Sequence, residues 1–298
     1  MSKPKLFMTG GTGFIGQGLC QALEGRFAIT VLTRDKDKAR KRLGPDISLC
    51  DRVPDLGGFD AVVNLAGEPI ADKRWTPRQK QRMQDSRWRL TEELVAAMAQ
   101  AKAPPRVFIS GSAVGYYGPQ PPEVVVSEAF TGVTEDFGHA LCAGWEARAR
   151  QAQGFTRVCL LRTGMVLGRS GGALKKMLPA FRLGLGGPVG KGEQILSWIA
   201  HADMVRAIVF LLDRDDLSGP FDCTAPSPVS SRDFAKALGR ALHRPALLPL
   251  PAFVPKLLLG EGATLLLDGQ KVIPKRLLEA GFEFLYPELD RALEAILA

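Results

Sequence analysis

Apolar and β-branched residues fall in short runs, separated by longer stretches whose apolar positions recur at helical spacing. The runs are 6-LFMT-9, 27-FAITVLT-33, 61-AVVNLA-66, 107-VFIS-110 and 158-VCLLRTGMVL-167. Between them, residues 14–24, 77–101 and 136–152 read as helices, the second with Thr76 as cap and Pro77 at its first helical position. The alternation predicts βαβ units, and so an α/β fold built on a doubly wound parallel sheet with helices on both faces. After about residue 168 the texture becomes Gly-, Pro- and Leu-rich, as in 184-GLGGPVGKGEQ-194 and 249-PLPAFVPKLLLGEG-262. We therefore expect a larger domain at 1–167, rejoined by 196–223, and a smaller, irregular, lid-like domain made of 168–195 and 224–298.

Composition narrows the class without choosing a function. With 298 residues, 46% hydrophobic and 23% charged, the chain is long enough for one sizeable core or for two unequal ones. No apolar run approaches the roughly 18 to 20 residues needed to span a bilayer, and MSKPKLFMTGG lacks the apolar core of a signal peptide. The expectation is a cytoplasmic protein without membrane contact. Five cysteines (Cys20, Cys50, Cys142, Cys159, Cys223) stand singly, with no CxxC pair, which argues against a disulfide framework or a metal cluster. The net charge of +8 suits an anionic ligand as well as a nucleic-acid surface. The basic residues lack the interleaved aromatics of a base-stacking platform, so no nucleic-acid partner is expected.

The candidate chemistry starts at 5-KLFMTGGTGFIGQGLCQALEG-25. Gly10, Gly13 and Gly16 follow a strand and open a helix. The first permits a tight turn, the second lets backbone approach a pyrophosphate, and the third permits close packing of helix on strand. The spacing GxxGxxG differs from GxGxxG, and a tight turn without a ligand is the plain alternative. The end of the next run reads 31-VLTRDKDKAR-40. An acid at that place holds the ribose of NAD, whereas an Arg accommodates the 2′-phosphate of NADP. Thr33 and Arg34 at the strand end, with Lys36, Lys38 and Arg40 behind them, favour NADP(H). Asp35 would reverse that choice if the strand ended one residue later.

The segments TGGTGFIG (9–16), 64-NLAGEPI-70, 110-SGSAVGYYG-118 and 162-RTGMVLG-168 together resemble the extended short-chain dehydrogenase/reductase superfamily. More closely they resemble its atypical, nucleoside-diphosphate-sugar-epimerase-like branch, the YfcH-like (SDR39U1-like) family. The tail 259-LGEGATLLLDGQKVIPKRLLEAGFEFLYPEL-289 is similar to that branch's small C-terminal domain. The resemblance implies a Rossmann-type fold with a C-terminal substrate domain. It further implies cofactor contacts at Gly10, Thr12, Gly13, Phe14, Ile15 and Gly16 around the pyrophosphate, and at Thr33 and Arg34 for the 2′-phosphate. Leu65, Ala66 and Gly67 would lie along the adenine-side ribose and linker, and Arg87 and Val166 would also face the cofactor. Arg87 can pair bidentately with a phosphate, although a solvated helix face is the alternative for the basic run it belongs to.

The wider superfamily uses a Tyr with a Lys four residues on, the ammonium lowering the phenol pKa for proton transfer. No Tyr-xxx-Lys occurs in this chain; the helix that would carry it reads 137-FGHALCAGWEARA-149, with Gly138 and Cys142 at the corresponding places. Ser112, Tyr116 and Tyr117 are the candidate replacements, with packing or turn roles equally open to the tyrosines. Cys142 and His139 are weaker candidates, since a lone cysteine on an amphipathic helix is ordinarily core. The resemblance places Gln194 and Trp198 at a substrate cleft. It leaves His201 one residue away from the family's histidine and allows Asp203 a helix-capping role. Lys175 and Arg182 are candidate anion binders or surface charges.

Two functions remain open: an NADP-dependent oxidoreductase or epimerase-type enzyme acting on a small polar, nucleotide-linked molecule, or a catalytically weak NADP(H)-binding redox sensor. Oligomeric state is not legible.

Overall fold

The computed structural model describes residues 3–298. Seven strands, all parallel, form the main sheet: β1 (Lys5–Thr9), β2 (Ala28–Leu32), β3 (Ser48–Cys50), β4 (Ala61–Asn64), β5 (Val107–Ala113), β6 (Arg157–Thr163) and β7 (Gly219–Cys223). Their spatial order is β7-β6-β5-β4-β1-β2-β3. The direction of winding reverses between β1 and β4, so a crevice opens beyond their carboxyl ends, where ligands of such sheets bind.

The strands are continuous apolar runs because both faces of the sheet are covered. Leu6 and Met8 pack on one face with Leu19 of helix α1 (Phe14–Ala22) and Ile208 of helix α6 (His201–Asp213). Phe7, Val62 and Phe108 pack on the other with Leu94 and Met98 of helix α3 (Pro77–Gln100). Helix α2 (Lys36–Leu43) follows β2, and helix α4 (Phe137–Arg150) packs on α3. Thr76 caps α3 by accepting from the Gln79 N–H, with Pro77 behind it, as its sequence predicts.

Two departures from the sequence reading have local causes. The run 158–167 is two strands. At Gly164 an added Cβ would lie 2.4 Å from the Ser197 carbonyl oxygen, and there the chain leaves the main sheet, so that Met165–Leu167 pairs with Trp198–Ala200. The Gly- and Pro-rich second region also holds regular helices: α5 (Gly172–Arg182), α7 (Ser231–Ala241) and a C-terminal helix (Leu289–Leu297). Leu178, Phe181, Phe234, Leu238 and Leu293 from these helices enclose a second apolar core. All five cysteines are free, and no helix among the described residues is long and apolar enough to cross a membrane.

Candidate functional site

The turn after β1 is fixed by glycine. Gly10 has φ +73°, and an added Cβ would lie 2.6 Å from the Leu65 carbonyl carbon and 2.8 Å from the Ala66 nitrogen. This turn and the one after β4 therefore meet backbone to backbone. At Gly16 an added Cβ would stand 2.3 Å from the Gly10 carbonyl oxygen, so the third glycine seats α1 on the turn itself more than on the strand. Gly13 occupies the N-cap position and no side chain caps α1 there, which leaves backbone N–H groups facing outward. Thr9 Oγ1 donates to Asn64 Oδ1 at 2.6 Å and accepts from the Ala66 N–H at 3.3 Å, tying the two strand ends together.

A cavity of about 780 Å3 opens at this point. Gly10, Thr12, Gly13, Thr33, Arg34, Leu65, Ala66 and Gly67 all line it, so eight of the expected cofactor residues converge on one wall system. Asp35 lines it too, but its carboxylate accepts the Lys38 N–H at 2.9 Å as the N-cap of α2. Of the basic residues expected behind Arg34, only Lys38 lines the cavity. Lys36 pairs with Asp51 at 3.0 Å, and Arg40 donates to the carbonyls of Gly44, Pro45 and Ile47, closing the end of α2.

Sequence reasoning overlooked Arg42, which lines the same cavity and donates to the Thr12 carbonyl at 3.0 Å. Eight residues beyond Arg34, it returns to the cleft because α2 lies beside the glycine turn, a proximity that no local motif announces.

Five expected contacts lie outside the cavity lining: Gly16, packed on the turn, and four others. The Phe14 ring stacks on His201 at 4.3 Å, and His201 Nε2 bonds the Phe14 carbonyl at 2.9 Å. Ile15 packs against the core, and neither side chain lines the cavity. Val166 sits in the strand Met165–Leu167 and packs against the same core. The guanidinium of Arg87 donates to the carbonyls of Glu68 and Met83, each at 3.1 Å, and lies close behind Gly67. Expected to pair with a phosphate, it instead buttresses the 65–67 turn; burial lowers its pKa, opposed by its negative neighbours.

The candidate acid–base residues form a closed, buried network. Ser112 Oγ donates to Glu146 Oε1 at 2.8 Å, and the same carboxylate is paired with Arg162 at 2.8 and 2.9 Å. Tyr117 is fully buried; its hydroxyl donates to Asp222 at 2.8 Å and accepts from Arg162 at 3.0 Å. Burial, and then the Asp222 charge, push the Tyr117 phenol far above its ordinary value. The Asp222 carboxyl is itself raised, by burial first and by Glu128 second. Ser112 and Tyr117, expected as proton donors, are thus both engaged in this network. Arg162, Glu146 and Asp222 were overlooked, although a lone Arg inside the apolar run 158-VCLLRTG-164 is a sequence signal for a buried carboxylate partner. Tyr116 differs in being half-buried, with the Arg162 guanidinium 3.5 Å from its ring centroid.

Helix α4 faces this turn with small residues. A Cβ on Gly115 would lie 3.7 Å from Cys142 Sγ and 3.8 Å from the Gly138 carbonyl oxygen. The segment Val114–Tyr117 thus lies against the helix positions of Gly138 and Cys142. Burial pushes the Cys142 thiol up to about 12, which suits core packing and not a thiolate. His139 Nδ1 bonds the Tyr116 carbonyl.

In the second region, Gln194 lines a cavity of about 1000 Å3 with Gln120, Lys191, Lys256, Glu261 and Asp268. Its amide donates to the carbonyls of Val189 and Leu266. Trp198, expected in that cleft, is fully buried in the second core and donates its indole N–H to the Ser227 carbonyl at 3.0 Å. Asp203 is not a helix cap: Ala200 occupies that position, and the Asp203 carboxylate accepts the N–H groups of Leu285 and Tyr286 at 2.8 and 2.9 Å. Lys175 and Arg182 line neither cavity.

The chain matches the NAD dependent epimerase/dehydratase family over residues 6–222 and a domain of unknown function, DUF1731, over residues 250–296. It is 38% identical over 300 residues to human epimerase family protein SDR39U1, covering 99% of this chain and 100% of the relative. An Arabidopsis thaliana chloroplastic homologue of SDR39U1 is 42% identical over 306 residues, covering 99% of this chain and 87% of the relative. The crystal structure of human SDR39U1 isoform 2 with NADPH superposes with a TM-score of 0.89 at 37% identity, covering 98% of this chain and 99% of that one. UDP-glucuronic acid 4-epimerase from Bacillus cereus shares the fold, with a TM-score of 0.79 at 19% identity and 98% of both chains covered. The likeness runs along nearly the whole chain, which belongs to the NAD dependent epimerase/dehydratase family and, within it, groups with the SDR39U1 epimerase family proteins.

Proposed function

We propose that the protein binds NADP(H) in the cleft beyond β1, β2 and β4 and uses it in an oxidoreductase or epimerase-type reaction on a small polar, nucleotide-sugar-like substrate. The observation carrying this reading is the convergence on one cavity of a glycine turn that a side chain would obstruct with Arg34, Lys38 and Arg42. The NADPH in the crystal structure of the human relative supports it. In this reading the backbone at 10–16 and the uncapped start of α1 take the pyrophosphate. Arg34 takes the 2′-phosphate, Lys38 and Arg42 add positive charge, and Asp35 stays engaged as a helix cap. Leu65, Ala66 and Gly67 line the linker side, backed by Arg87.

Bound NADP(H) supplies or accepts a hydride at nicotinamide C4. The residues near the 110–118 segment then manage the proton. With Ser112 and Tyr117 closed in the buried network, Tyr116 is the candidate left half-open to a substrate. Residues 1–167 and 196–223 carry the cofactor; 168–195 and 224–298 carry the substrate side, with Gln194 in its cavity.

A second reading, a redox sensor that binds NADP(H) without turnover, is favoured by the engagement of two of the three candidate donors in ion-paired hydrogen bonds. Fluorescence titration of Arg34→Ala and Arg42→Ala should show NADPH affinity falling about tenfold or more for each, with NADH affinity little changed, since a charged hydrogen bond contributes about 1.5–3 kcal/mol. Unchanged selectivity in both variants would refute the 2′-phosphate placement. Oxidation of bound NADPH by nucleotide sugars or carbonyl compounds, lost in Tyr116→Phe, would favour the enzyme; tight binding without turnover across the panel favours the sensor.

A further inference from the structure

Apolar side chains are exposed along one edge of the second region. Leu183, Leu247, Phe253, Leu257 and Leu258 are 66 to 81% exposed. They belong to one surface: the Leu248 N–H donates to the Gly186 carbonyl at 3.1 Å and the Leu250 N–H to the Pro188 carbonyl at 2.9 Å, so 183–190 runs beside 245–250. The helix Phe253–Leu259 follows directly, with Pro255 buried and Phe253, Leu257 and Leu258 outward. Clustered exposed apolar residues of this kind mark an interaction surface.

The charge on this surface is mainly of one sign. Residues 180–192 and 240–260 contain Arg182, Lys191, Arg240, Arg244 and Lys256 and no carboxylate. Beside Leu247, a surface pocket of about 620 Å3 is lined by Lys236, Arg240, His243 and Arg244, with no acid among its residues. Of the flanking acids, Asp290 holds Arg240 at 2.7 Å, Asp233 accepts from Ser230, Glu261 pairs with Lys80, and Asp268 and the exposed Glu193 lie in the Gln194 cavity with Lys191 and Lys256. A second copy of the chain fits poorly, because a two-fold contact would set the Lys236, His243 and Arg244 cluster against itself with no carboxylate among the residues of that pocket to answer it. A bilayer with anionic headgroups meets both features at once, phosphates for the cations and an apolar boundary for the leucines.

We infer that the face formed by residues 182–191 and 236–258 docks peripherally on an anionic lipid bilayer, without spanning it. Its cations take headgroup phosphates while Leu183, Leu247, Phe253, Leu257 and Leu258 enter the headgroup boundary. This departs from the expectation of a protein without membrane contact, whose ground, the lack of a membrane-crossing run, bears only on spanning.

The full-length protein, mixed with vesicles of phosphatidylcholine alone or of phosphatidylcholine with phosphatidylglycerol and then sedimented, tests the inference. Partition onto the anionic vesicles should exceed that onto neutral ones by about tenfold or more and weaken as salt is added. The substitutions Leu247→Ser, Phe253→Ser and Leu257→Ser combined, and separately Lys236→Glu with Arg244→Glu, should each lower partition by about tenfold or more. Circular dichroism and NADPH titration, unchanged in both variants, would exclude misfolding as the cause. Absence of binding to anionic vesicles, equal binding to neutral ones, or indifference to both variants would overturn the inference. So would light scattering that shows a dimer which the triple substitution converts to monomer, since the face would then cover itself.

Discussion

Arg34 and Arg42 flank a single eight-residue helix, one just before it and one in its last turn, and both line the same cavity. Asp35, between them in sequence, is removed from contention by its cap on the Lys38 N–H. The buried network follows the same logic of engagement. Because Asp222 is held well above the ordinary carboxylate value, the folded chain keeps a proton that the unfolded chain releases near about pH 4. Its contribution to stability is therefore complete below that pH and declines as pH rises toward the folded-state value. Asp222→Asn should remove this decline while keeping an acceptor for Tyr117. Urea midpoints measured from about pH 4 to pH 8 should fall less steeply with rising pH in the variant, and parallel curves would count against a protonated Asp222. The glycine turn and Arg34 were legible because their chemistry is local. The burial of Tyr117 was not, since it depends on Arg162 and Asp222, 45 and 105 residues away.

At the scale of elements, the segment Val114–Tyr117 lies against the face of α4 that carries Gly138 and Cys142 in place of a Tyr-xxx-Lys pair. Small residues on the helix let the turn approach, and the turn is held at its end by Gly118, whose φ is +64° and whose added Cβ would stand 1.9 Å from the Thr134 carbonyl oxygen. Gly118→Ala should destabilise by at least about 1–3 kcal/mol, the cost of a left-handed residue before any clash is counted. Gly115→Ala, whose new methyl would meet only ordinary contacts, should be mild. Urea unfolding of the pair decides this; equal losses would mean that the left-handed Gly118 is not the tighter constraint and that the approach of Gly115 to the helix is as tight. Period and apolar runs were enough to read β1, β2, β4, β5, α1, α3 and α4. β3 was too short to show a pattern, with three residues, and the break in the run 158–167 depends on Ser197 arriving beside Gly164. The helices α5 and α7 lay hidden in a Gly- and Pro-rich composition that describes their connections and not their own faces.

For the molecule as a whole, winding reversal places the crevice beyond β1 and β4, and the second region closes against the sheet through specific ties such as Asp203 to the backbone of Leu285 and Tyr286. Fold class and family were readable from motif succession. The placement of Trp198 was not, because a motif fixes a position in sequence and leaves open which core a large side chain fills. The central claim is that NADP(H) occupies the cleft built by the glycine turn. Titration of wild type and Gly13→Val with NADPH and NADH, followed by nicotinamide fluorescence, tests it most directly. Wild type should bind NADPH about tenfold or more tighter than NADH, and the valine, whose Cβ would stand 3.0 Å from the Gly10 carbonyl oxygen and whose methyls would crowd the phosphate path, should abolish binding of both while the fold persists by circular dichroism. Full NADPH affinity in Gly13→Val, or equal affinity of wild type for the two nucleotides, would contradict the account.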